Sequence, residues 1–159
     1  MGMINIEDWG INMRKFEVCK GFENAGVELP VRKTKYSAGY DIRSLYKYEV
    51  KPGEIILVKT GVKACMESDE VLKIYPRSSL GLKKGLMLSN SVGVIDADYY
   101  SNLDNDGHIM IPLYNFSKNI AHIDVGERIA QGIFSKYLLT DNDASVTDRK
   151  GGFGSTDKR

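Results

Sequence analysis

From Lys15 onward, short apolar runs alternate with turn residues, and the period of each run limits the element it can form. Phe16-Glu17-Val18-Cys19 alternates with period two, as a half-buried strand does. Ile55-Ile56-Leu57-Val58 is a continuous run introduced by the turn pair Pro52-Gly53, and it reads as a strand buried on both faces. Val62 to Met66 follows Gly61. Then come Val71 to Tyr75, Leu86-Met87-Leu88, Val92 to Ile95, Ile109 to Ile111 and Ile129 to Phe134. The polar stretch Ser101 to Gly107 is a loop, and Val125-Gly126-Glu127 marks a turn. No stretch of about ten residues or more carries a helical period, so at most one helical turn is expected, around Gly81 to Lys84. Short strands at the roughly 8- to 12-residue spacing of sandwiches and barrels predict an all-β domain.

The pattern stops near Thr140. From there to Arg159 only Ala144, Val146 and Phe153 are apolar, too few to offset the ordering entropy of an independent element. The chain therefore divides into a β-domain with an amino-terminal extension, residues 1–139, and a flexible arm, residues 140–159. At 159 residues it is long enough for one sizeable core. Lys plus Arg number 22 against 21 for Asp plus Glu, so no whole-molecule field draws it to nucleic acid or membrane, and an anion must be held by local groups. Met1 to Trp9 lacks the pattern of a secretory leader, and no apolar run reaches the roughly 18 residues of a membrane span. A soluble cytoplasmic protein is expected, with Cys19 and Cys65 as reduced thiols.

The stretch Ile74 to Tyr100 organises the rest. It reads as three short apolar strands carrying polar clusters that a core does not need, set on either side of a strand hairpin. Arg77-Ser78-Ser79 offers a guanidinium fork and two hydroxyls after Pro76, a donor set for phosphate oxygens or else an exposed polar turn. Asp96 and Asp98 follow the apolar run Val92 to Ile95. On one strand face they would repel unless a cation, a water or a donor lay between them. Asn90 could offer both amide edges to a planar base or simply close a turn, and Tyr99 could be a stacking wall or core.

Other segments supply further candidates. The glycine of Ala38-Gly39-Tyr40-Asp41 suggests a bulge or a close backbone approach. Asp41 could hold a hydrated metal, although the tetrapeptide alone reads as a turn aspartate capping its own backbone. Gln131 lies inside the apolar run Ile129 to Phe134, where a buried amide must either cap a neighbouring loop or face a wet site. Arg149 to Thr156 joins backbone-exposing glycines to an arginine, two hydroxyls and Phe153, which suits wrapping an anion and laying a ring on a flat ligand. His108 and His122 fit no zinc spacing with the cysteines.

Five segments in this order, Ala38 to Ser44, Pro76 to Leu80, Val92 to Tyr99, Glu127 to Gln131 and Arg149 to Thr156, resemble the motifs of the trimeric dUTPase family (deoxyuridine 5′-triphosphate nucleotidohydrolases). The resemblance implies a jelly-roll-like β-barrel assembled as a homotrimer, with each site completed by the carboxyl-terminal arm of a neighbouring chain. It implies hydrolysis of dUTP to dUMP and pyrophosphate, keeping dUTP out of DNA and supplying dUMP for thymidylate synthesis. By the same resemblance Asp96 orients and deprotonates the attacking water, and Asp41 holds a hydrated Mg²⁺ that bridges the triphosphate. Arg77, Ser78 and Ser79 meet phosphate oxygens, and Gln131 joins the water and phosphate network. Asn90 and the backbone near Gly93 read the uracil edge, while Tyr99 packs on the deoxyribose. Arg149, Ser155 and Thr156 close over the outer phosphates, and Phe153 covers the base.

Three positions depart from the family pattern. Tyr99-Tyr100-Ser101 replaces the usual Tyr-x-Gly and leads into the longer loop ending at Asp106-Gly107, Phe153 follows Arg149 one residue sooner than usual, and Ser79 stands where glycine is frequent. The related fold of dCTP deaminase shares an Arg-Ser-Ser element, but deamination needs a general-base glutamate where this chain has Pro112 before Leu113-Tyr114-Asn115, and proline cannot move a proton. A non-catalytic nucleotide sensor and a plain structural jelly roll are the remaining readings.

Overall fold

The structure, a computed structural model, describes residues 13–154. The Met1 to Trp9 segment and two predicted phosphate ligands, Ser155 and Thr156, lie outside the described residues. Among those described, eleven strands are β1 (Lys15–Val18), β2 (Tyr40–Arg43), β3 (Tyr48–Val50), β4 (Ile55–Lys59), β5 (Val62–Cys65), β6 (Glu70–Pro76), β7 (Leu86–Leu88), β8 (Gly93–Asp96), β9 (Met110–Asn115), β10 (Ala121–Ile123) and β11 (Arg128–Lys136). One α-helix, α1 (Ser78–Lys84), and a 3-10 turn (Ala97–Tyr99) complete the elements used below. The all-β expectation holds.

The strands form a four-stranded sheet, β2-β11-β6-β8, a three-stranded sheet, β4-β9-β7, and two ribbons, β1-β5 and β3-β10. All these pairs are antiparallel. One apolar core joins the two larger sheets. Ile42, Leu72, Ile74 and Ile129 come from the first, and Val58, Leu86, Leu88, Ile111 and Leu113 from the second. After Lys136 the chain runs on to Gly154 without strand or helix.

Three expectations need correction. Leu86 to Leu88 and Gly93 to Asp96 do not form a hairpin ladder, because β7 pairs with β9 while β8 pairs with β6. The turn between them crosses from one sheet to the other, and Pro112 of β9 shows why. Its carbonyl accepts the Ser89 N–H at 3.0 Å, but proline has no N–H to return, so the ladder ends and Asn90 leaves the sheet. Second, Ile55–Lys59 is not buried on both faces. Val58 is buried, while Ile55 and Leu57 are 61% and 41% exposed, so the sheet carries an apolar outer surface. Third, the helix begins at Ser78, earlier than the single turn expected. Arg77 is its extended first flank, and Gly85 ends it in the left-handed conformation, where φ is 63°.

Strands β2, β3 and β10 had no legible signal. β3 and β10 are three residues each, and in β2 the positions beside buried Ile42 are Asp41 and Arg43.

Candidate active site

Ile74 of β6, Leu88 of β7, Gly93 to Asp96 of β8 and Met110 to Pro112 of β9 wall a pocket of about 200 Å³, with Asn90 and Tyr99 at its sides. Glycine suits this wall because a Cβ at Gly93 would lie 3.0 Å from Ile74 Cβ, a crowding that bare backbone avoids. Asn90 is exposed on its turn, and among the described residues its amide has no hydrogen-bond partner, so both edges remain open to a planar ligand. Tyr99 is both core and wall. Its ring is buried, its hydroxyl donates to the His108 carbonyl and accepts from Asn105 Nδ2, each at 2.8 Å, and burial raises its pKa above the usual phenol value. Pro112 contributes no titratable group to this wall.

Asp96 ends β8 at the pocket rim. Asp98 does not share a strand face with it, because the backbone turns into the 3-10 segment after Asp96. The cation that two neighbouring carboxylates require is present all the same. Arg149 donates from Nη2 to Asp96 at 2.6 Å and from Nε to Asp98 at 2.8 Å, with its guanidinium 5.7 Å from the centre of the Tyr99 ring. Arg149 and Phe153 then line the same pocket, so the described arm lies against the pocket of its own chain.

The remaining predicted ligands gather elsewhere. Arg77 and Ser79, at the start of α1, line a second cavity of about 350 Å³ with Arg43, Lys83, Lys84 and Arg128, and Glu127 is its acidic lining residue. A cavity so rich in cations suits a polyanion. Ser78 is exposed beside it. Asp41 of β2 is the hub: its two oxygens meet Arg77 Nε at 3.2 Å and Arg128 Nη1 at 3.0 Å. Gln131, across the ladder from Asp41, donates to the Pro76 carbonyl at 3.2 Å and so caps the loop that presents Arg77. Gly39 makes the predicted close approach, since a Cβ there would fall 2.3 Å from Gln131 Oε1. Arg43 and Arg128 are cationic members of this cavity that the sequence does not single out. Arg128 adjoins the apolar run Ile129 to Phe134, Arg43 lies in a strand with no clear period, and the partners of both are remote in sequence.

The pocket and the cationic cavity share no lining residue within one chain. Among the described residues no group of three or more His, Cys, Asp or Glu side chains could enclose a metal ion.

Known proteins are similar to this chain in sequence and fold. A sequence model of the dUTPase family matches residues 25–157. The deoxyuridine 5′-triphosphate nucleotidohydrolase of Lactococcus lactis subsp. lactis is 49% identical over 148 residues, covering 92% of this chain and 99% of its own. That of Rickettsia felis is 38% identical, with coverage of 86% and 93%. The crystal structure of dUTPase from Streptococcus mutans superposes with a TM-score of 0.77 at 45% identity, covering 81% of this chain and all of that one. A dUTPase from phage phi11 of S. aureus, described as coordinating a structural Mg(II) ion, shares the fold at a TM-score of 0.67 and 20% identity, covering 84% of this chain and 97% of its own. With the family match running through all five motif segments and half the residues of a full-length relative identical, the chain belongs to the dUTPase family.

Proposed function

We propose that this chain hydrolyses dUTP to dUMP and pyrophosphate, keeping dUTP out of DNA and supplying dUMP for thymidylate synthesis. The observation that carries the reading is the base-sized pocket with open Asn90 and bare Gly93 on one wall, and Asp96 at its rim under Arg149. Uracil would present its edge to Asn90 and the Gly93 backbone, the deoxyribose would pack on Tyr99, and Phe153 would cover the base. Asp96 would aim a water in line with the α-phosphorus and take its proton. The new P–O bond forms as the bond to the β-phosphate oxygen breaks, and pyrophosphate leaves with that electron pair. Arg77, Ser78, Ser79 and Gln131 belong to the phosphate side, as do Arg149, Ser155 and Thr156 of the arm. When phosphate oxygens draw Arg149 away from Asp96, the carboxylate is freed for the water.

Mg²⁺ fits in one way. Asp41 already holds two guanidinium groups, which leaves lone pairs for a hydrated ion but not a cage, and Mg²⁺ prefers to keep waters and take phosphate oxygens. Bound there, it would neutralise charge on the triphosphate.

Homotrimer assembly explains why the two cavities are separate in one chain: a neighbouring copy would bring its cationic cavity to this pocket. The apolar row of exposed Ile55, half-buried Tyr114 and exposed Met87 across β4, β9 and β7, with Leu57 beside Pro112, gives such a neighbour a surface bordering the pocket. Residues 140–159 would act as the arm, exchanged so that the contacts seen within one chain form between chains. Among the described residues no helix is long and apolar enough to cross a membrane. The free thiols Cys19 and Cys65 and the near-neutral charge support a cytoplasmic protein without nucleic-acid or membrane partners.

The test is pyrophosphate release with Mg²⁺ and dUTP, dCTP, dTTP or UTP, for the intact protein and Asp96→Asn. Release from dUTP alone, reduced at least about 10²-fold in the variant, is expected. Tight dUTP binding without release from either protein would replace the hydrolase with a sensor. Arm exchange has its own test. Refolded mixtures of Asp96→Asn and Arg149→Ala chains should recover activity only if base and arm come from different chains.

A further inference from the structure

The longer loop after Tyr99 has no role in the reading above, yet it touches the arm. Its conformation is fixed from within. Asn102 Oδ1 accepts the N–H groups of Asp104 and Asn105 at 3.0 and 3.2 Å, and Asn102 Nδ2 donates to the Tyr99 carbonyl and to Asn105 Oδ1, both at 2.8 Å. At its far end Asp106 accepts from the Lys20 N–H at 2.7 Å and from Lys63 Nζ at 2.9 Å. A loop this fully bonded holds its remaining side chains in place.

Two of those side chains meet the arm. The carboxylate of exposed Asp104 accepts the Gly152 N–H at 2.7 Å. The Asn105 amide lies flat against Gly152, so closely that a Cβ there would stand 3.0 Å from Nδ2 and 3.1 Å from both Cγ and Oδ1. The same Asn105 nitrogen reaches the Tyr99 hydroxyl. Buried Gly152 thus sits between two fixed points: Arg149 on Asp96 and Asp98, and Phe153 at the pocket.

We propose that the loop 101–107 is the docking seat of the arm, with Asp104 and Asn105 as positioning residues that set the register in which Phe153 meets the pocket. Asp104 holds the arm's backbone, and Asn105 ties that contact to the Tyr99 wall. The seat deepens the dUTPase reading without depending on nucleotide, because its contacts are present in the chain alone. It also gives Gly152 a packing reason that a flexible linker would not need.

The experiment is limited trypsin digestion of the full-length protein without nucleotide, following cleavage after Lys150 by intact mass. Asp104→Ala should raise that cleavage rate at least about tenfold, the size expected from losing one hydrogen bond to a charged acceptor. Asp104→Asn, which keeps an acceptor oxygen, should restore most of the protection. The thermal midpoint of both variants should stay within about 2 °C of the parent, since Asp104 is exposed. Gly152→Ala, which drives a methyl group into Asn105, should match or exceed Asp104→Ala in cleavage. Unchanged cleavage in Asp104→Ala, or a rise explained wholly by a lower thermal midpoint, overturns the seat. Repeating the digestion with an imido analogue of dUTP separates the two readings. If the analogue gives the parent no added protection, the nucleotide reading fails and the seat stands.

Discussion

Arg149 donates to Asp96 at 2.6 Å, so the arm's guanidinium rests on the carboxylate assigned to the attacking water. With Asp98 bound at 2.8 Å on the same side chain, the arginine is held by two acceptors, and its side chain is only 10% exposed. Such a fork recognises oxygens in pairs, and phosphate offers a better pair than two separate carboxylates. Arg149→Ala is therefore expected to lower kcat/KM for dUTP by about 10²-fold. Arg149→Lys should recover only part of this, because an ammonium keeps the charge and loses the fork. Steady-state pyrophosphate release checks both, and full activity in the lysine variant would reduce the contact to simple charge.

Asp41 is the shared acceptor of Arg77 and Arg128, and all three side chains are largely shielded from water. Removing the carboxylate leaves two guanidinium groups facing each other with no counter-charge. Asp41→Ala should cost about 2 kcal/mol in urea unfolding, part of the larger penalty known for fully buried pairs. The same variant should weaken dUTP binding, since both arginines lose the contact that aims them at the cationic cavity. An unchanged urea midpoint would show that solvent already screens the cluster.

Apolar continuity made much of the fold legible. Ile129 to Phe134 and Leu86-Met87-Leu88 could hardly be anything but strands, and both are. Tyr40–Arg43 escaped because Asp41 and Arg43 are neutralised by partners distant in sequence, which no local period reports. Ile55 to Val58 misled for the converse reason: hydrophobicity says that a surface should be covered, not what covers it. Six of the candidate residues picked by type, Asn90, Gly93, Asp96, Tyr99, Arg149 and Phe153, line one pocket. The pairings were hidden, since Arg149 lies 53 residues from Asp96 and Gly152 lies 48 from Asp104.

The two thiols should differ in reactivity. Burial pushes the Cys19 pKa up to about 12, so at pH 8 only about one molecule in 10⁴ carries the thiolate that reacts. Cys65 is only partly buried. Maleimide at pH 8 should modify Cys65 in the native protein and leave Cys19 intact until urea is added, as peptide mapping would show. Equal labelling without denaturant would mean that β1 opens readily.

His108 gives the fold an acid limit. Its Nε2 accepts the N–H groups of Thr60 at 3.2 Å and Gly61 at 2.8 Å, which requires a neutral ring, and burial lowers its pKa to about 4 from 6.5. Between those values the unfolded chain holds a proton that the folded chain refuses. The stabilisation is therefore complete above about pH 6.5 and is lost as pH falls towards 4. At pH 5 the loss should be about 2 kcal/mol. His108→Gln cannot titrate, so its urea midpoint, even if lower at pH 7, should change less between pH 7 and 5 than the parent's. Parallel curves for the two proteins would assign the acid sensitivity elsewhere. The effect should also reach the pocket, because the His108 carbonyl accepts the Tyr99 hydroxyl at 2.8 Å. Protonation places a third donor opposite two N–H groups and pushes this segment away, so the Tyr99 wall should loosen before the chain unfolds. KM for dUTP should then rise between pH 5 and 4 in the parent, where the folded ring takes its proton, and the rise should be smaller in His108→Gln.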